Sequence, residues 1–180
     1  MGDGGKWICG LSQYEKSDKP CIVYSFEQEL LTRTNCEIWG YDYSVDDFAP
    51  DLEDSFRDRT KFTKAGISGK SNPHHEPPMF AILDLMSMNG HDYIDILKID
   101  IEFAEFEALK AMNEALSPGR EFPIGQILIE LHLSKPSGLT ATNFLAWWEA
   151  LEMRGFRPTC SELNLVVVTH KAEDAMPRCS

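Results

Sequence analysis

Three carboxylates and an imidazole stand at the ends of two apolar runs. Asp100 and Glu102 follow Ile94, Ile96, Leu97 and Ile99, while Glu130 and His132 follow Ile127, Leu128 and Ile129. In each pair the two residues are two apart, so on an extended chain both side chains point to the same side. Crowded carboxylates raise one another's pKa, and a nearby imidazolium offsets that. A group of this kind binds a divalent cation, accepts a proton from a substrate, or holds a ligand's amine. Each member also has a plainer use: Glu130 as the partner of Lys98, and His132 as a cap before the loop Ser134-Lys135-Pro136-Ser137-Gly138. Acids with perturbed pKa values in a crevice favour function over these plainer uses.

A parallel sheet would bring the four together. Tyr93 to Glu102 is almost continuously aliphatic, the pattern of a strand covered on both faces, and in open α/β sheets the ligand crevice lies outside the carboxyl ends of the strands. Ile124 to Leu133 is a second strand of the same kind. If the two are parallel neighbours, Asp100 and Glu102 face Glu130 and His132 across one crevice. Between them, Phe103, Phe106, Leu109, Met112 and Leu116 recur at helical spacing and stop at Ser117-Pro118-Gly119.

The rest of the chain alternates in the same way. Cys21 to Tyr24 is a first strand, and Ser25-Phe26-Glu27-Gln28 matches a capping box, so a helix over Glu27 to Arg33 begins at once. Cys36 to Tyr41 is a second strand ending at Asp42, an acid placed either to accept from a ribose diol or to cap its own turn through Ser44. Phe48 to Arg59 reads as a loop or short helix, Lys61 to Ile67 as a third strand, and Met79 to Met88 as a helix stopped by Asn89-Gly90. His91, in the turn before the central strand, reads as structural. Thr142 caps a helix whose core face is Phe144, Leu145, Trp148 and Leu151, ending at Gly155, and Phe156 to Thr159 with Leu163 to Thr169 reads as a closing antiparallel pair. Residues 1 to 20 are a lead-in, with Gly2, Gly4 and Gly5 in a flexible stretch, and 171 to 180 a loose tail. The expected class is therefore α/β: one domain over 1–180, a mostly parallel sheet with helices on both faces, and an antiparallel closing strand. Strands ending at Tyr24, Asp42, Glu102 and His132 should share one edge, with 93–102 central.

Composition narrows the partners. With 17 Lys and Arg against 29 Asp and Glu, the net charge of -12 repels phosphate backbones and anionic lipid surfaces. Nucleic acid is thereby disfavoured. No stretch approaches the roughly 20 apolar residues of a membrane span, and the opening residues lack the basic and apolar regions of a signal peptide. As written the chain starts in the cytosol; a preceding N-terminal anchor would direct it to the secretory pathway. The five cysteines are scattered without a C-x-x-C pair, which reads as free buried thiols. His74-His75-Glu76 lies on a proline-rich loop, where adjacent histidines seldom converge on one ion.

KIDIEFAEFEAL, residues 98 to 109, resembles the K-I-D-I-E-G-A-E-F segment of FkbM-type methyltransferases. GDGGKWICGL, WGYDYSV and NGHDYIDILKIDIE resemble a related group of eukaryotic methyltransferase-like domains. The resemblance spans nearly the whole chain and implies a Rossmann-like methyltransferase fold, S-adenosylmethionine as cofactor, and methyl transfer to an oxygen of a small molecule or carbohydrate. It implies cofactor binding by Tyr24, Ser25, Asp42, Asp100 and Glu102, with Asp42 on the ribose, and removal of the substrate proton by His132 or Glu130. These residues could hold a divalent metal, which the sequence does not itself support, and an oxygen acceptor needs either one of the bases or such a metal.

Two departures from that pattern matter. Phe103 stands where the resembling segment has glycine, and its ring is expected to narrow the cofactor pocket. The step from Tyr24 to Glu27 leaves no glycine-containing loop. Losing two or three hydrogen bonds of about 1 kcal/mol each would weaken cofactor binding tens to hundreds of fold. The same departures suit a non-catalytic binding module on this fold. A nicotinamide-dependent oxidoreductase is a third reading, disfavoured by the lack of G-x-G-x-x-G after the first strand.

Overall fold

The computed structural model describes residues 7–24, 28–47, 52–133 and 138–161. In chain order the elements are α1 (Leu11–Glu15), β1 (Ile22–Tyr24), α2 (Gln28–Arg33), β2 (Glu37–Tyr41), a 3-10 turn (Asp54–Arg59), β3 (Thr60–Thr63), β4 (Gly66–Ile67), β5 (Met79–Phe80), α3 (Ile82–Asn89), β6 (Ile94–Ile99), α4 (Glu105–Ala115), β7 (Ile124–Ile129) and α5 (Ala141–Met153). Five strands form one sheet in the order β3-β2-β1-β6-β7, and every pairing within it is parallel. The carboxyl ends of the strands therefore lie along one edge, as expected, but the middle place among the described strands belongs to β1, with β6 between β1 and β7. Winding runs outward from β1 to β3 and then returns to β6 on the other side of β1, so the switch point of the sheet falls between Tyr24 and Ile99.

Two apolar clusters sandwich this sheet. Tyr24, Ile94, Leu97 and Ile99 pack with Ile82 and Leu85 of α3, Phe106, Leu109 and Met112 of α4, and Trp147 of α5. Val23, Ile38 and Ile96 pack with Leu30 and Leu31 of α2, with Leu11 and Tyr14 of α1 against them. Ile94, Ile96, Leu97 and Ile99 are all fully buried, which is why β6 carries aliphatic residues on both faces.

Two arginines hold the helix ends that frame the sheet. Arg59 donates to the carbonyls of Leu31, Thr34 and Cys36 in and just after the last turn of α2, and Arg154 to those of Asn113, Leu116, Ser117 and Arg120 in and just after the last turn of α4. Terminal carbonyls without intrahelical partners favour a cation there.

Several expectations are corrected. Lys61 to Ile67 is not one strand: the chain turns at Lys64, where Ala65 N bonds Thr63 O, and β4 leaves to pair with β5 in a separate small sheet. Met79 and Phe80 are consequently in β5, and the helix starts at Ile82, with Gly90 ending it at φ 73. Residues 7 to 20 are not merely a lead-in, since α1 packs on the second cluster and Gln126 bonds both the amide and the carbonyl of Cys9. The cap of α5 is Thr140, whose hydroxyl accepts from Asn143 N, and the buried indole is Trp147, while Leu145 is exposed. Phe156 to Thr159 forms no strand; Leu163 to Thr169, like Ser25 and the capping box, lies outside the described residues. Cys21 and Cys36 are not free thiols but form a disulfide: each immediately precedes its strand, and the register Ile22 to Glu37 sets them side by side. Cys9 and Cys160 are free and exposed. Among the described residues no helix is long and apolar enough to cross a membrane.

Beneath the carboxyl edge a small polar network supports β1 and β2. Asn89 donates to the hydroxyls of Tyr24 and Tyr41, and Tyr24 Oη lies 2.9 Å from His91 Nδ1. Burial raises the pKa of both phenols, keeping them neutral. With Asn89 donating to it, the Tyr24 hydroxyl has its own proton left to share with the Nδ1 of a neutral ring. Burial also lowers His91 below its ordinary value of 6.5. The unfolded chain then takes up this proton before the folded one, so the contribution of the neutral ring is complete above the ordinary His range and is lost as pH falls through the folded value. Urea midpoints should accordingly drop more between about pH 7.5 and about pH 5 in the native chain than in His91→Gln, which keeps an acceptor but does not titrate. Parallel pH profiles of the two proteins would contradict this assignment.

Candidate functional site

At the switch point lies a cavity of about 230 Å³ walled by Tyr24, Tyr41, Asp42, Phe62, Lys98 and Asp100. Four strands supply these walls. β1 gives Tyr24, β2 gives Tyr41 and then Asp42 just past its end, β3 gives Phe62, and β6 gives Lys98 and then Asp100 just past its end. Of the two uses expected of Asp42, the turn cap is present: Oδ1 accepts from the amide of Ser44 at 2.7 Å and from its hydroxyl at 2.6 Å, so the turn is capped by one oxygen. The second oxygen is not spent on those bonds, and the residue stands at the cavity wall. Tyr24 is buried to 1% exposure and forms the floor.

Beside this cavity is the acid and imidazole group. β6 and β7 run in parallel register with Ile99 opposite Ile129, and the ladder continues past the strands through Glu130 N to Ile99 O at 2.9 Å. One step further, His132 Nε2 lies 3.8 Å from Asp100 Oδ1 and 3.6 Å from Glu102 Oε2. The expected convergence of Asp100, Glu102 and His132 is present, although not by strand alternation alone. β6 ends at Ile99, and Glu102 (φ 48) and Phe103 (φ 76) make a left-handed turn that swings the chain into α4. Glu130 is not one of the three residues whose ligand atoms approach within 4.8 Å.

The third acid at the imidazole is instead Glu105. Its side chain is fully buried in the first turn of α4, where negative charge suits the helix dipole. Oε1 accepts from His132 N at 2.8 Å and lies 3.1 Å from His132 Nδ1. Glu105 thus engages the Nδ1 side of the ring and leaves Nε2 on the side of Asp100 and Glu102. Sequence reasoning passed over Glu105, yet a signal was there. It shares the i, i+3, i+4, i+7 stripe with Ala108, Leu109 and Met112, all buried.

Phe103 does not line the cavity, contrary to expectation. Its ring centroid is 5.3 Å from that of His132, edge to face, and its other side borders a groove of about 790 Å³ between α4 and α5. The left-handed turn sends the ring away from β1. What a glycine would offer here is the positive φ, at which most side chains are strained. Phe103→Gly should therefore leave affinity for a cavity ligand unchanged and loosen His132. Calorimetry with the ligand checks the first, and the His132 ring signals in an NMR spectrum check the second. Tighter ligand binding would restore the ring to the cavity wall.

A family model described as a methyltransferase domain matches residues 1–174. Comparison with curated proteins and with solved structures gives no match.

Proposed function

The chain belongs to a methyltransferase-domain family, and from that premise we propose that it uses S-adenosylmethionine to methylate an oxygen of a small molecule or carbohydrate. The observation that carries this reading is the placement of Asp42 and Asp100 in the walls of one cavity at the switch point of the sheet, with His132 beside it. The walls fit the nucleoside end of such a cofactor. Asp42 has an oxygen to accept from a ribose hydroxyl, and Phe62 and Ile67 offer apolar surface for a base. Ser25, proposed as a further contact, follows Tyr24 in the sequence.

When bound, the cofactor supplies an electrophilic sulfonium methyl group. The residues hold the reactants: Asp42 fixes the ribose, while Tyr24, Asp100 and Glu102 border the donor end. Orientation of this kind supplies much of a transfer rate. A neutral alcohol is a poor acid, so the acceptor oxygen needs a base within hydrogen-bond reach. We assign that role to His132 Nε2 rather than Glu130, because Nε2 is turned towards Asp100 while Glu105 holds the opposite nitrogen.

One observation favours a second reading, a binding module without catalysis. The cavity of about 230 Å³ is smaller than the roughly 300–1,000 Å³ of sites for drug-sized ligands. Asp42→Ala separates the assignments. Loss of a charge-assisted bond of about 1.5–3 kcal/mol should weaken S-adenosylhomocysteine roughly 10–100-fold by calorimetry. Equal affinity in the two proteins would remove Asp42 from the site.

A further inference from the structure

We propose that Asp100, Glu102 and His132 form a binding site for one first-row divalent cation of the Mn2+ or Zn2+ type, with Glu105 as the carboxylate behind the histidine. Nε2 stands 3.8 Å from Asp100 Oδ1 and 3.6 Å from Glu102 Oε2. Those separations are too long for hydrogen bonds. They are close to what a shared ion requires, because ligands at about 2.1 Å and tetrahedral angles lie roughly 3.4 Å apart. All three ligand atoms fall within 4.8 Å of one another.

Glu105 points to the same conclusion independently. Its side chain is fully buried, yet Oε2 has no hydrogen-bond partner among the described residues. A buried carboxyl oxygen left without a partner is costly, and Asp100 and Glu102 add two more acids around one imidazole. A divalent cation on Nε2 offsets that charge through the ring. A carboxyl group on Nδ1 with Nε2 on the ligand side is the arrangement that orients a ligating histidine. One imidazole with two carboxylates suits Mn2+ and Zn2+ better than Ca2+, and the remaining coordination positions stay open to oxygen ligands. Asp100 also walls the cavity, so the ion would stand at its edge.

The binding argument stands on the donor atoms alone; a part for the ion in methyl transfer rests on the reading above. With the ion in place Nε2 becomes a ligand. Activation of an acceptor hydroxyl then passes from the imidazole to the cation, which lowers the pKa of a bound oxygen.

The test titrates the tag-free, metal-stripped chain with Mn2+ by calorimetry and electron paramagnetic resonance, followed by Zn2+ and Mg2+. One equivalent of Mn2+ should bind, with Zn2+ tighter and Mg2+ weaker. Asp100→Asn and Glu102→Gln change exposed side chains and should each weaken Mn2+, while Glu105→Gln should cost about 10–100-fold by releasing the ring. Pulsed resonance should show ¹⁴N coupling from the imidazole, absent in His132→Gln and retained in Glu102→Gln. Absence of saturable Mn2+ and Zn2+ binding at millimolar concentration overturns the site, as does equal binding by the native chain and the Asp100→Asn, Glu102→Gln double variant. S-adenosylhomocysteine titrated into the same stripped samples keeps the two proposals apart. Retained nucleoside binding with no Mn2+ binding overturns the cation site alone, and the converse overturns the cofactor reading while supporting the cation site.

Discussion

His132→Ala is expected to lower the rate of methyl transfer roughly 10²–10⁴-fold, the usual range for removing a positioned proton acceptor, while affinity for S-adenosylhomocysteine stays unchanged. The asymmetry follows from where the ring stands. His132 faces Asp100 and Glu102 from β7's side and is not among the residues lining the nucleoside cavity. Its loss therefore falls on the acceptor half of the site. The same outcome holds if Nε2 serves as a ligand to a cation, since either role disappears with the ring. The measurement is the rate of S-adenosylhomocysteine formation against a panel of alcohol, phenol and sugar acceptors. A variant that keeps its rate would move the acceptor site elsewhere.

Leu97→Ala is expected to cost about 2–5 kcal/mol of folding stability, the range for truncating a fully buried leucine. Leu97 has no exposed surface, pairs with Tyr24 on one side and Ile127 on the other, and belongs to the cluster that joins α3, α4 and α5 to the sheet. Few places in the strand leave less room to relax. Out of a typical 5–15 kcal/mol, such a loss would shift the urea midpoint far more than any surface change. A cost under about 1 kcal/mol would place the residue outside the core assigned to it.

Strand existence was legible where burial dictated composition. β6 and β7 read correctly because strands covered on both faces need aliphatic residues on both, and their parallel register brought Asp100, Glu102 and His132 together. The sequence pattern was silent where a single backbone bond decides the path. The turn at Lys64 that splits β3 from β4 rests on one bond from Ala65 N to Thr63 O, and no residue type announces it. Adjacent or near-equivalent residues caused two further errors. Thr140 and Thr142 are equally good caps by type, and Trp147 and Trp148 differ by one step of about 100° around a helix. Phe156 to Thr159 carries Pro158, which has no N–H to give to a ladder, and forms no strand in the described structure. Cys21 and Cys36 were unreadable as a pair because their proximity comes only from the register of β1 on β2. Glu105 is the instructive case. An acid on an apolar stripe looks like a pattern error until the imidazole above it is seen.

The central claim is that the cavity between β1 and β6 accepts the nucleoside of a sulfonium methyl donor. Calorimetric titration of the unaltered chain with S-adenosylmethionine, S-adenosylhomocysteine and NAD tests it most directly. The account predicts saturable binding of both sulfur nucleosides at one site per chain and none of NAD. Binding of NAD alone, or no saturable binding of either sulfur nucleoside at millimolar concentration, would contradict it.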